Sequence, residues 1–467
     1  AAPISHHLDP TLTVDVTVHQ VLGPAPSILR PRGGLDIRRA RPRAPAFAAG
    51  GRHAVVAKTG RAFGHDSGRA TLACGGTSNL ETAALVNGCA AHAYDYDDVS
   101  HTGIMHGSAV IGPAVFATTE ERGLNDLEAL VAFVAGSEVA YVLGDALSHE
   151  HFLRGWWTTA TLSTIGAAAA AAKLHGLSAG GIEQVIGLAA GNAGGTRAAF
   201  GTDGKPFLCG IAAKSALEYA IAISSGITGP TNAFESDSGF VATLNDGIID
   251  LSNFETLGES WRLLDPGLMI KRYPICSSAH ALTEESAELK LRHNFHPDEV
   301  VSVECAVPQV VATSLVYDNP KSPQECQFSI PYSVASGLQY GKISLRQIAS
   351  NKSIDATLHS IMKKVSWRSD PELSSKEMRQ KYPECARVMV QLPNQVTVEG
   401  FRAIATGAPG VPMRDEQLIE KFLDCLEFAG VDERDSRAAS QAIMKLGEGS
   451  VERTLPQTLK NIWGKAL

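Results

Sequence analysis

The first eighty residues contain no glutamate; the first in the chain is Glu81. Between Arg30 and Arg69 nine arginines and Lys58 face only Asp36 and Asp66, so a cationic arm precedes the rest of a chain whose net charge is nonetheless -8. An acidic total argues against a dedicated nucleic-acid binder. None of the eight cysteines (Cys74, Cys89, Cys209, Cys276, Cys305, Cys326, Cys385, Cys425) forms a CxxC pair, so the signature of a zinc ribbon or ferredoxin cluster is missing. Scattered cysteines in an Ala/Gly-rich chain read as reduced, intracellular thiols. No uninterrupted apolar run reaches the roughly 18–20 residues of a membrane span, and no secretory signal pattern is visible; both point to a soluble, cytoplasmic protein, or a mitochondrial one if its source is eukaryotic. Strand–helix alternation is also lacking, which counts against a Rossmann-like domain.

What the 467 residues do hold is a normal hydrophobic fraction of 44%, enough for two or three domains at ~150 residues each. From Leu80 to Gly229 the pattern is helical, over residues 83–92, from an Asn125–Glu128 cap onward, over 161–174 with Gly176 as its stop, after a Ser178 cap, and over 211–224. The texture changes after Pro266. Residues 300–307, 387–392 and 395–398 alternate like half-exposed strands, the last two joined by a Pro393-Asn394 turn; helices are expected at 281–292, 332–338 and 354–365. Beyond Pro412 the chain reads as helix again, over 418–426, 437–446 and 459–463. The expected fold is mainly α: a large helical bundle, 1–267 with 409–467, into which a small α+β domain, 268–408, is inserted.

The densest polar cluster, His92 to His106, packs three imidazoles (His92, His101, His106) and three carboxylates (Asp95, Asp97, Asp98) into fifteen residues. Carboxylate and imidazole sharing a cleft can exchange protons near neutral pH, which general acid–base catalysis needs; the plain alternative is a helix end with solvated acids and a satisfied histidine. Metal ligation is less favoured, because no HExxH-like helical spacing occurs. Lys205, in the Gly-rich turn GTDGKP before a helix, offers an anion site or merely an exposed loop amine. Lys271 and Arg272 open KRYPICSSAH at the passage into the second domain, where two cations suit a carboxylate-rich ligand or a solvated hinge. Cys276 and His280 lie in the same stretch.

Ala90–Asp98 (AAHAYDYDD) with the downstream His106-Gly-Ser, GTDGKP before an AAK helix, KRYPICSSAH, and PQECQFSIPYSVA, in that order, resemble the MmgE/PrpD family over roughly Leu85 to Leu426. The family includes 2-methylcitrate dehydratase, cis-aconitate decarboxylase and iminodisuccinate epimerase. The resemblance implies a homodimer, a cleft between domains, a small polycarboxylate substrate, no cofactor and no metal. By motif it makes His106 the leading proton donor or acceptor and Asp95 its partner, with Lys205 and Lys271 as carboxylate clamps. His101 and Tyr332 are further catalytic candidates; Arg272, Trp157, Cys276 and His280 complete the expected substrate contacts. The reading that follows is a cofactor-independent lyase of the 2-methylcitrate dehydratase type, ahead of an epimerase, a decarboxylase or an inactive relative.

Three positions depart from the resemblance. Val99 stands where the decarboxylase has threonine, Trp157 where many members have histidine, and Cys276 where the decarboxylase has histidine. Residues 21–75 depart most, reading Pro, Gly, Arg and Ala with little helical periodicity. A divergent arm, a processed targeting region and a local reading-frame error compete; the last is favoured because the family pattern resumes abruptly near Leu80.

Overall fold

The computed structural model describes residues 49–444 except 52, 65, 66, 148 and 351–353. Most of the cationic arm and the expected helix at 459–463 lie outside these residues. The fold is mainly helical. Its first part comprises α1 (Ala54–Phe63), α2 (Leu80–His92), α3 (Ser108–Arg122), α4 (Asp126–Leu147), α5 (Thr158–Leu174), α6 (Ala179–Asn192) and α7 (Gly204–Ser224). Helix α1 corrects the non-helical reading of the arm: Val55, Val56 and Thr59 bury one face while lysine and arginine fill the other.

The local signals explain most boundaries. Asn125 and Glu128 exchange side chain-to-backbone hydrogen bonds of 3.0 and 2.8 Å, a capping box that starts α4. Gly176 ends α5 at φ +72°, and Ser178 caps α6 by accepting from the Gly181 amide. Helix α7 starts seven residues before its expected position. Gly204-Lys205-Pro206 reads as loop, but proline is tolerated in a first helical turn, and Lys205 therefore sits on helix.

Small residues let the helices approach closely. A Cβ on Gly88 of α2 would lie 2.7 Å from the Gly210 Cα of α7; one on Gly136 of α4 would lie 2.4 Å from the Gly166 carbonyl oxygen of α5. Taken as whole helices, α4 and α7 are as long and apolar as membrane spans, which an uninterrupted-run criterion overlooks; 89% of the apolar window of α4 is buried inside the protein.

After the two-residue strand β2, Met269–Ile270, the chain forms α8 (His280–His293), β3 (Ser302–Val307), α9 (Ile330–Tyr340), α10 (Ala356–Met362), β4 (Val365–Ser369), α11 (Lys376–Lys381), β5 (Ala386–Gln391) and β6 (Thr397–Arg402). The sheet order is β4-β3-β5-β6, with β4 parallel to β3 and the other pairs antiparallel. Strand β4 takes the end of the segment expected as helix to Val365: α10 stops at Met362, and Val365–Ser369 pair with Val303–Val307. Ala386, Val388 and Val390 of β5 turn one buried face toward the core. Helices α12 (Asp415–Phe428) and α13 (Glu433–Met444) close the described chain.

Two contacts bring distant segments to one place. Strand β1 (Asp98–Val99) pairs antiparallel with β2, placing the DYDD turn beside Lys271. From α12, the Lys421 ammonium donates to the carbonyls of Tyr96 (2.8 Å) and Lys271 (2.7 Å) and lies over the Tyr96 ring. Burial pushes that amine down to about 8.

Candidate active site

Helix α2 ends at His92 and the chain turns at once. The Asp95 amide donates to the His92 carbonyl at 3.0 Å, and Asp95 takes a left-handed φ of +49°. That conformation costs an L-residue roughly 1–2 kcal/mol, and aspartate is among the few that visit it readily. Asp95 Oδ1 accepts from Lys271 Nζ at 2.6 Å and from Lys205 Nζ at 3.0 Å. All three side chains are buried. Burial opposes ionisation of Asp95, but Lys205 and Lys271 outweigh it and hold the carboxyl well below the usual carboxylate range. Burial likewise works against the Lys271 ammonium, and Asp95 and Asp97 more than reverse it.

His106 enters from the other end of the loop. Its Nδ1 lies 2.8 Å from the Asp98 carbonyl oxygen. A carbonyl only accepts, so Nδ1 is assigned the proton and Nε2 keeps the lone pair, 3.9 Å from Asp95 Oδ1. Burial first, then the Lys271 charge, lower the His106 pKa well below its ordinary value. The imidazole is therefore a neutral base at pH 7, held in place by the His106 amide donating to Thr159 Oγ1 at 3.0 Å. His92 packs beside it with ring centroids 4.6 Å apart and directs Nδ1 at Asp97 Oδ2, 2.9 Å away. Asp97 and His92 thus belong to the cluster, though in the sequence they stand out only as part of the His92–His106 run.

Three aromatic rings surround Lys205: Nζ lies 4.8 Å from the Phe328 centroid, 5.0 Å from Phe200 and 5.5 Å from Trp157. Cation–π attraction of this kind stabilises a buried ammonium. Phe200 and Phe328 carry no signal of their own in the sequence, since only the fold brings them together. Trp157 is 1% exposed and its ring lies tilted against that of His92 with centroids 5.5 Å apart, so it occupies the flank of the cluster.

Ligand atoms of His92, Asp95, Asp97 and His106 lie within 4.8 Å of one another, a spacing that could hold a metal ion. The donor set suits zinc, but Asp95 Oδ1 already accepts two ammonium groups and a dication would have to overcome both charges. The cluster fits its two lysines better than a metal.

The remaining expected residues separate. Cys276 borders the cluster, its thiol pushed up to about 11 by burial and then the Asp95 charge, so it is protonated and a poor nucleophile. His280 is fully buried against Tyr273, with its pKa lowered to about 3 by burial and then by Lys271. Arg272 does not reach the cluster: its half-exposed guanidinium lies 3.4 Å from Glu284. Tyr332 sits in the α9 core, its buried hydroxyl without a hydrogen-bond partner among the described residues and its charged neighbour being Asp355 rather than Asp95. His101 turns away as well, its Nε2 3.0 Å from Glu384 Oε2. The Ser100–Met105 bridge folds the loop back on itself, with Ile104 at φ +56°, and this puts His101 and His106 on different sides.

The structure therefore defines a mainly helical protein with a buried cluster of two carboxylates, two neutral imidazoles and two ammonium groups. The chain belongs to the MmgE/PrpD family: the family's N-terminal domain matches residues 46–249 and its C-terminal domain residues 273–446. The match begins inside the cationic arm, well before Leu80, so residues 46–75 are part of the family domain and the expected break near Leu80 is corrected. The chain is 26% identical to cis-aconitate decarboxylase of Mus musculus over 302 residues, 62% of this chain and 61% of that protein. It is 25% identical to the cis-aconitate decarboxylase-like protein oryM of Aspergillus oryzae over 367 residues, 73% of this chain and 74% of that protein. Against the human cis-aconitate decarboxylase the figures are 27% over 276 residues, 56% of each chain. The chain thus spans less than two thirds of the length of the mouse and human relatives.

Proposed function

We propose that this protein is a lyase that removes a proton from carbon next to a carboxylate of a small di- or tricarboxylate, with dehydration of the 2-methylcitrate type as its reaction. The observation that carries the reading is the neutral His106 Nε2 beside two buried ammonium groups. A base must be unprotonated to take a proton, and a carbanion beside a carboxylate must meet positive charge as it forms. In a dehydration, the C–H electron pair would become the new C=C bond while the proton passes to His106 Nε2. The C–O bond breaks on the neighbouring carbon, and a proton from a lysine ammonium makes the leaving hydroxide water. Lys205 and Lys271 would exchange part of their hold on Asp95 for the substrate carboxylate. The names of the relatives support decarboxylation of the same substrate class as the variant chemistry. We also propose the two-part organisation, 1–267 with 409–467 around 268–408, which the Lys421 contacts to Tyr96 and Lys271 support, and a homodimeric, cytoplasmic protein.

A second reading rests on Trp157. Its indole flanks His92 where a smaller polar group would leave room, which favours a family member that keeps the fold without the chemistry. A panel of citrate, 2-methylcitrate and cis-aconitate, followed by proton NMR in deuterated buffer, separates these. Deuterium at the carbon next to a carboxylate and a new ultraviolet-absorbing olefin support dehydration. Release of carbon dioxide replaces it with decarboxylation. No turnover of any member by folded protein leaves the inactive reading.

A further inference from the structure

Beside the buried cluster, on the far side of His101, lies an open cavity of about 560 Å³. None of His106, Lys205 and Lys271 lines it. Its walls are the 101–102 turn, the end of α4 with His149, helix α11 with Lys376, Arg379 and Lys381, and the 403–410 segment. The acids on its wall differ in standing from the bases. Asp145 accepts from Arg262 Nε at 3.0 Å. Glu384 accepts from Ser277 Oγ (2.8 Å) and Ser278 Oγ (2.7 Å) and faces His101 Nε2 at 3.0 Å. Glu150 is the third acid on the wall. By contrast, the side chains of Lys376 and Arg379 make no ion pair among the described residues. His149 is tied to the same wall, its Nε2 3.0 Å from the His101 carbonyl.

A cavity of this size falls within the range of small-molecule sites, and a planar guanidinium is built to take a carboxylate with two hydrogen bonds. Ser277 and Ser278 directly follow Cys276, whose thiol feels the charges of Asp95, Lys271 and Glu384 together. Glu384 and its two serines therefore form the partition between the cavity and the cluster. We propose that this cavity is a second binding site for a small polycarboxylate, in which Lys376 and Arg379 hold the anion above the His101–Glu384 pair before it reaches the buried lysines. The choice of a polycarboxylate rests on the lyase reading above; the site itself rests on the cavity and its unpaired cations.

Calorimetric titration of the full chain with citrate tests this. The paired substitution Lys376→Gln/Arg379→Gln, on exposed and half-buried positions that the fold does not need, should weaken citrate binding at least tenfold. Glu384→Gln, which removes the negative wall, should tighten it severalfold, while His106→Asn should change it by less than twofold. The proposal is overturned if wild-type protein does not bind millimolar citrate, if the paired variant binds as wild type does, or if His106→Asn abolishes binding. Citrate bound in the cavity with no tricarboxylate turned over would end the lyase reading and leave the site. Turnover unaffected by the paired variant at limiting substrate, together with unchanged citrate affinity, would end the site and leave the lyase.

Discussion

His101 and His106 are five residues apart, yet they sit in different surroundings. His106 is 7% exposed, with its Nδ1 proton committed to a backbone carbonyl and its Nε2 facing Asp95, which holds two buried ammonium groups. His101 keeps 20% of its side chain exposed and faces a carboxylate at the rim of an open cavity. Lys271 and Arg272 repeat the contrast at one residue's distance: the first is wholly buried on Asp95, the second is 44% exposed beside Glu284. In both pairs the chain turns just beyond a short strand, and neighbours in sequence part company in space. A motif thus marks a neighbourhood, and the backbone decides which of its members meet.

The sharpest way to break this comparison is to remove one cation of each kind. Lys271→Met leaves Asp95 and Asp97 buried with half their compensation, and loss of one partner of a buried pair costs about 3–5 kcal/mol. Arg272→Met removes a solvent-screened contact and should cost less than about 1 kcal/mol. Urea midpoints read both; equal losses would mean that the two lysine-motif cations do the same job. Next in size comes the histidine pair. His106→Asn should lower turnover by about 10²–10⁴, the range of general acid–base contributions, with its unfolding midpoint little changed. His101→Gln should leave turnover at saturating substrate within about tenfold and act chiefly on KM. The reverse order would transfer the base to His101.

Acid should destabilise the fold through its buried, neutral histidines. Burial lowers His151 to about 4 and His280 to about 3. The unfolded chain, where histidine titrates near 6.5, binds those protons more readily throughout the interval. Stability is therefore fully present above pH 6.5 and falls as pH drops toward 4, each residue withdrawing on the order of 3 kcal/mol. Urea titrations between pH 8 and pH 4.5 should show a steep loss below 6.5, and a flat profile would contradict the buried neutral state. The same direction holds for His106: its depressed pKa keeps the base free, so the acid limb of kcat should fall below pH 6.5.

The convergence of Asp95, His106, Lys205 and Lys271 in one candidate site was legible because proton transfer beside a carboxylate would call for those side-chain types together. Asp95, His106, Lys205 and Lys271 are rare residue types for an interior, and four motifs in order place them in a known family pattern. Helix boundaries were legible where caps are chemical, as at Asn125 and Ser178. Other features depend on long-range packing that no local pattern encodes. The Lys205 aromatic box joins α7 with Phe200 and Phe328, and the Lys421 latch spans 325 and 150 residues to its two acceptors. Strand β4 was hidden because five residues, Val365–Ser369, show only two turns of alternation and owe their conformation to the parallel partner β3.

The smallest predicted effect separates a conspicuous motif residue from a working one. Tyr332 lies within PQECQFSIPYSVA, which invites a catalytic role, yet its hydroxyl is buried with no hydrogen-bond partner among the described residues. The Ser336 hydroxyl lies close to it, so a weak neutral contact is the most that deleting the phenol removes. Tyr332→Phe should therefore leave turnover unchanged and shift stability by no more than about 1 kcal/mol in either direction. A large loss of turnover at unchanged midpoint would place the phenol at the substrate after all, and with it the α9 core within reach of the cluster. The contrast with His106→Asn is the point of the measurement: both residues are buried and both sit in family motifs, but only one directs a lone pair at the charged centre.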